Sequence, residues 1–294
     1  MAAETLSPVN PFEKGGQLLA SRHRETPPVK ADIVLAIDAC ASMAPFWGRL
    51  AQDAQALPAI VRSAAAGIGL GPGDVRLRII AFRDLYIQPV AFECSPFCSL
   101  GEQEGSLRIQ PPSVQTSAWA AEAGLPAPEA PETAQEEAAS NGLQALCDFI
   151  ASVKPGGKGG PNTSGLEALI AALHSPWRRE GSMRDRILII SDSAAYNLDE
   201  PLRQFDPEYE SILRAALPPE STDLPETLDG LRRLWRDGVG DIDNWNSRVL
   251  LFTPQQWPWT QLATWSRITA MHLPPDRIRQ LQLSSVLTAA FATM

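Results

Sequence analysis

Ile33-Val34-Leu35-Ala36-Ile37-Asp38-Ala39-Cys40-Ala41-Ser42 opens with five apolar residues in a row and continues as an acid followed by small side chains. An apolar run of that length between polar neighbours fits a strand buried on both faces, as in a parallel sheet. The signature returns at Arg186–Ser191 (RILIIS), again followed by an acid, Asp192. Val75–Phe82 (VRLRIIAF) predicts a strand that starts half exposed and ends buried, with residues of roughly 86–92 as its hairpin partner. Arg248–Thr253 and Ile268–Leu273 predict two more strands. Between them the spacing predicts helices over about 45–67 (kinked by Pro58), 141–153, 163–174, 207–217 and 225–237, with a short helix after the fifth strand and a terminal one from Asp276. Strands alternating with helices predict an α/β fold: a doubly wound, mainly parallel sheet flanked by helices on both faces. In such sheets the loops leaving the carboxyl ends of the strands carry the site, and two of these strands end at an aspartate.

Outside this frame, residues 1–31 read as an N-terminal arm punctuated by prolines, and 32–294 as one domain. A Pro/Glu/Ala-rich stretch at about 94–139, with PAPEAPET at its centre, reads as a surface insertion. The chain of 294 residues is 44% apolar, enough for a sizeable core. Its 25 basic against 34 acidic residues give a net charge of −9 without a basic stripe, which argues against direct nucleic-acid binding. Four dispersed cysteines do not make a disulfide scaffold, and no apolar run reaches the roughly 18 residues of a membrane span. The expectation is a reduced, cytoplasmic protein with no membrane partner.

The loop Asp38-Ala39-Cys40-Ala41-Ser42 resembles the D-x-S-x-S loop of von Willebrand factor type A (vWA) domains, in a bacterial branch of that family. Further segments extend the resemblance in the same order: AFRDLYIQPV (81–90), SPFCSL (95–100), GLEALIAALHSPW (165–177), RILIISDSAAYNL (186–198) and LLFTPQQWPWTQLATW (250–265). The resemblance implies a Rossmann-like vWA fold with a metal-ion-dependent adhesion site, in which a hard cation such as Mg²⁺ sits among carboxylate and hydroxyl oxygens. It implies Asp38, Ser42 and Asp192 as metal positions. Cys40 stands at the second serine position, where a soft thiol is a poor Mg²⁺ ligand. The later loop's acid falls on Gly160, and Thr163 is the nearest oxygen donor. The expected site is therefore degenerate, with Cys40, Lys158 and Thr163 in partner-binding roles and the Lys158 ammonium standing where the metal would be.

The function that follows is protein interaction without catalysis: a scaffold subunit of a bacterial defence, stress-response or signalling complex, beside a kinase, phosphatase, protease or ATPase. Two other classes stay open, a metal-dependent hydrolase using Asp38 and Asp192, and an accessory subunit coupling an ATPase to its substrate. Other motifs point nowhere. Lys158 is followed by Gly159, not by the Ser or Thr of a phosphate loop. Cys94 and Cys98 lack a second ligand pair for zinc. His23, His174 and His272 form no catalytic or zinc motif. Asp84 is expected to organise a turn, and Trp257, Trp259 and Trp265 to pack around the last strands.

Overall fold

The computed structural model describes residues 29–85, 88, 90–100, 142–157, 161–178, 182–199, 207–215, 217, 221, 224–238, 242 and 246–294. It is a mixed α/β structure with a mostly parallel central sheet. The strands are β1 (Val29–Asp38), β2 (Val75–Phe82), β3 (Phe92–Cys94), β4 (Cys98–Ser99), β5 (Asn162–Thr163), β6 (Ser182–Met183), β7 (Arg186–Ile190), β8 (Ala194–Ala195), β9 (Arg248–Thr253) and β10 (Ile268–His272). The main path runs β10-β9-β7-β1-β2-β3, all parallel except β3; β4 also pairs antiparallel with β2. The chain builds outward from β1 to β3, then returns to the other side of β1 with β7. Strand order thus reverses between β1 and β7, the place where α/β sheets open a crevice at their carboxyl edge.

The apolar run of β1 is central for the reason its sequence announces: it lies between β2 and β7 and is covered on both faces. Ile33, Leu35 and Ile37 face one core layer, and Val34 and Ala36 face the other. The first layer is filled by α1 (Ala44–Asp53), α2 (Leu57–Ala65), α3 (Gly142–Ser152) and α9 (Leu283–Ala292), through residues such as Trp47, Val61, Ile150 and Leu287. The second takes α4 (Gly165–Leu173), α6 (Leu228–Asp237) and α7 (Trp259–Leu262). Helices also span α5 (Pro207–Ala215) and α8 (Pro275–Arg279). Each fully buried Leu or Ile contributes about 1.5–3 kcal/mol relative to exposure. Helix α4 is buried on all sides, so its sequence GLEALIAAL is apolar around its circumference apart from Glu167. Helix α6 is the opposite case. It buries Leu231 and Trp235, one turn apart, and Thr227 caps it by accepting the Gly230 N–H at 3.0 Å.

Several boundaries differ from the sequence expectation. β1 starts at Val29, so the end of the expected arm already belongs to the sheet. Residue 58 does not kink one long helix; Pro58 sits in the first turn of α2, after a short 3₁₀ link, where its missing N–H is harmless. The second hairpin strand is Phe92–Cys94, later than expected, and Cys98–Ser99 adds another pairing to β2. The insertion expected from about 94 therefore starts no earlier than 101, and its remainder, with the arm before residue 29, lies outside the described residues. The terminal helix is two, α8 and α9. Among the described residues no helix is long and apolar enough to cross a membrane.

Candidate functional site at the carboxyl edge

Parallel register sets the site. Ile37 of β1 is paired with Ile190 of β7, which brings the residues beyond each strand together at the reversal point. Asp38 is fully buried, and both its oxygens are used. Oδ1 accepts the Cys40 N–H at 2.9 Å, and Oδ2 accepts the Ser191 hydroxyl at 2.8 Å. Burial raises its pKa from 3.8 to about 6, an effect that the Cys40 and Ser191 hydrogen bonds reduce and the Asp192 charge adds to. The Asp38 carbonyl accepts the Trp47 indole N–H at 2.8 Å.

Asp192 is bound as tightly. Its Oδ1 accepts the Ser42 hydroxyl at 3.0 Å and the Ser193 hydroxyl at 3.2 Å. Its Oδ2 receives the Arg279 Nε–H at 2.6 Å, while Arg279 Nη1 reaches Asp276 at 3.1 Å. Arg279 comes from α8, and its carbonyl is held by the Arg49 guanidinium from α1. The Asp192 side chain is 1% exposed and that of Arg279 33%, so the guanidinium is the solvent-facing member of the ion pair.

The remaining expected residues divide. Cys40 is buried beside Asp38 and Asp84, and desolvation and those charges push its thiol well above the usual range, so it is a neutral thiol. Thr163 is fully buried in the β5–β8 pairing, and its hydroxyl donates to the Ala194 carbonyl at 3.4 Å. Lys158 lies outside the described residues. Just before it, the Gly156 N–H donates to the Ala39 carbonyl at 3.0 Å, which ties the glycine-rich loop to the loop after β1. Asp84 does organise its turn, its carbonyl accepting the Gln88 N–H, and its carboxylate also receives the Tyr196 hydroxyl at 2.9 Å. Trp259 and Trp265 are buried as packing residues, whereas Trp257 is half exposed.

The donor set does not fit a hard divalent cation. Every carboxylate oxygen of Asp38 and Asp192 already accepts a protein hydrogen. A neutral thiol replaces one oxygen, and a guanidinium already offsets the charge of Asp192. Among the described residues no three His, Cys, Asp or Glu side chains cluster as a metal site. Sequence reasoning missed Arg279 and Ser191. Ser191 was legible, because a hydroxyl following a buried strand opposite Asp38 is in reach of it. The Arg279 contact spans 87 positions, and only the Pro274-Pro275 helix start hints that α8 folds back beside the rim.

No family model and no curated protein matches the chain. Solved structures similar to it include the pilus adhesin SpaC from Lactobacillus rhamnosus GG, at 10% identity and a TM-score of 0.47, over 90% of this chain and 31% of that one. Proximal thread matrix protein 1 from the mussel byssus is similar at 11% identity and a TM-score of 0.38, over 89% of this chain and 46% of that one. The chain thus spans less than half the length of either protein.

Proposed function

We propose that this chain is a non-catalytic protein-interaction module of vWA type, with a doubly wound sheet and an adhesion site whose cation is its own Arg279. The observation that carries the reading is the Ser42–Asp192–Arg279 cluster beside Asp38 at the reversal of strand order. A cluster whose acids are held by internal hydrogen bonds and whose Asp192 charge is offset by Arg279 favours docking over bond-breaking. A protein partner then contacts the rim through side chains, without a shared metal. Membership of a bacterial defence or signalling assembly containing a kinase, phosphatase, protease or ATPase follows from the family resemblance and belongs to the same proposal.

Two measurements test it. Calorimetric titration with Mg²⁺ and Mn²⁺ is expected to give no saturable heat at millimolar metal; saturable binding that Asp38→Ala abolishes would restore the metal site. Purification from the native host, followed by size exclusion and mass spectrometry, is expected to yield a stoichiometric protein partner that Ser42→Trp loses while the fold persists. A wild-type chain that elutes alone overturns the interaction reading.

A further inference from the structure

Arg76 and Arg78 leave the same face of β2, two residues apart. Arg76 is fully met: Asp32 bridges it to Arg178, and its guanidinium lies 4.8 Å from the centre of the Phe97 ring. Arg78 is not. Its residue is only 8% exposed, no carboxylate among the described residues pairs with it, and its Nε donates to nothing. The polar neighbour it does have is the Cys94 thiol, within hydrogen-bonding reach.

The reason lies in the register. Leu77 pairs with Cys98 of β4 and Ile80 with Cys94 of β3, so Arg78 and Ile79 face the break between those strands. Ser95 fills the break for the backbone of Ile79, accepting its N–H at 2.9 Å through Oγ and donating its own N–H to the Ile79 carbonyl at 2.9 Å. That Ser95 hydroxyl also donates to the Pro96 carbonyl, so it is spent. Beside the break is an open pocket of about 410 Å³ that Arg78 lines together with Phe92, Cys94, Pro96, Pro176 and Leu217. Its size lies in the range of small-molecule sites, about 300–1,000 Å³.

A guanidinium does not shed its proton, and a buried cation without a counter-ion is unfavourable. The Cys94 thiol does not serve as that counter-ion, because burial raises its pKa despite the arginine beside it. We propose that the pocket is a binding site for a small organic monocarboxylate, with the carboxylate on Arg78 and an apolar body against Phe92, Pro176 and Leu217. One cation, in a pocket whose polar side is Arg78, Cys94 and Ser95 and whose apolar side is Phe92, Pro176 and Leu217, matches one negative charge. A phosphate would bring a second negative charge that the single guanidinium does not offset. This site is independent of the rim, and its test does not involve rim residues.

The probes are octanoate, its uncharged analogue octanamide and inorganic phosphate, each titrated into the full chain by calorimetry. Octanoate is expected to bind with a Kd below about 1 mM, and octanamide and phosphate at least about tenfold more weakly. Arg78→Met keeps the side-chain volume and is expected to abolish octanoate binding while raising Tm by a few degrees, since it removes an unpaired buried charge. Cys94 is the partly exposed cysteine beside three buried ones, so its alkylation provides a second readout. Octanoate at ten times its Kd is expected to slow Cys94 alkylation about tenfold by mass action. The proposal falls if octanoate does not bind, if octanamide or phosphate matches it, if Arg78→Met still binds it, or if that variant melts below wild type.

Discussion

The rim between β1 and β7 and the pocket beside β2 treat charge in opposite ways. At the rim, two buried acids have all four oxygens occupied by donors from the chain itself, including a guanidinium from α8. At the pocket, the Arg78 Nε has no acceptor and, among the described residues, its guanidinium has a neutral thiol but no carboxylate beside it. The difference is architectural. At the carboxyl edge the turn after β1, the residue that follows β7 and the end of α8 converge, which brings Ser42, Ser191 and Arg279 together there. The antiparallel side of β2 is flanked by strands of three and two residues, and the break between them supplies no acid. A closed charge cluster is suited to presenting a fixed surface, and an open valence is suited to taking a ligand.

The contrast predicts a graded set of effects on stability, each readable by denaturant unfolding. Asp32 sets the scale for a fully met arginine: Asp32→Ala strands Arg76 and Arg178 and is expected to destabilise the fold by about 3–5 kcal/mol. Asp38→Asn acts in the other direction and depends on pH. The folded-state pKa of Asp38 is raised from 3.8 to about 6, so the fold binds this proton more tightly than the unfolded chain. Its contribution is fully present below about pH 4 and is lost as pH rises through 6. At pH 8 the wild type holds an ionised buried carboxylate, and the asparagine variant is expected to be more stable by about 3 kcal/mol, with the gap closing towards pH 4. A gap that does not change between pH 4 and 8 would mean that Asp38 titrates normally. Arg279→Met leaves Asp192 with its two serine hydroxyls only. Because Arg279 is a third exposed, the expected loss is about 2 kcal/mol, between the surface and buried cases. The smallest effect is at the pocket: Arg78→Met is expected to gain about 1 kcal/mol, and a loss there would make Arg78 a structural residue like Arg76.

The sequence made the central strands legible because burial on both faces demands unbroken apolar runs, and Ile33–Ile37 and Ile187–Ile190 have them. The acids that follow these runs were legible for the same reason, since a strand end fixes where the next side chain lies. β3 and β4 were not legible, because pairings of three and two residues leave no periodicity to read, and their position depends on Ser95 bonding to Ile79. Arg279 was hidden differently. Arg277 and Arg279 both fit the sequence of α8, and only the packing of that helix selects the one that reaches Asp192. The unmet charge of Arg78 had no signal at all, because VRLRII reads as a half-exposed strand until the break opposite it is known.

Gly165, the first residue of α4, packs against Trp259, whose indole N–H holds the Ser193 carbonyl at 3.0 Å beside the rim. A Cβ at 165 would lie 2.5 Å from the Trp259 ring, so no larger residue enters without displacing it. The two positions therefore form a locked pair for anyone diversifying the protein. A library that randomises 165 alone will be purged of nearly everything but glycine, whereas joint replacement, such as Gly165→Ala with Trp259→Phe, opens a route through sequence space that single steps cannot take.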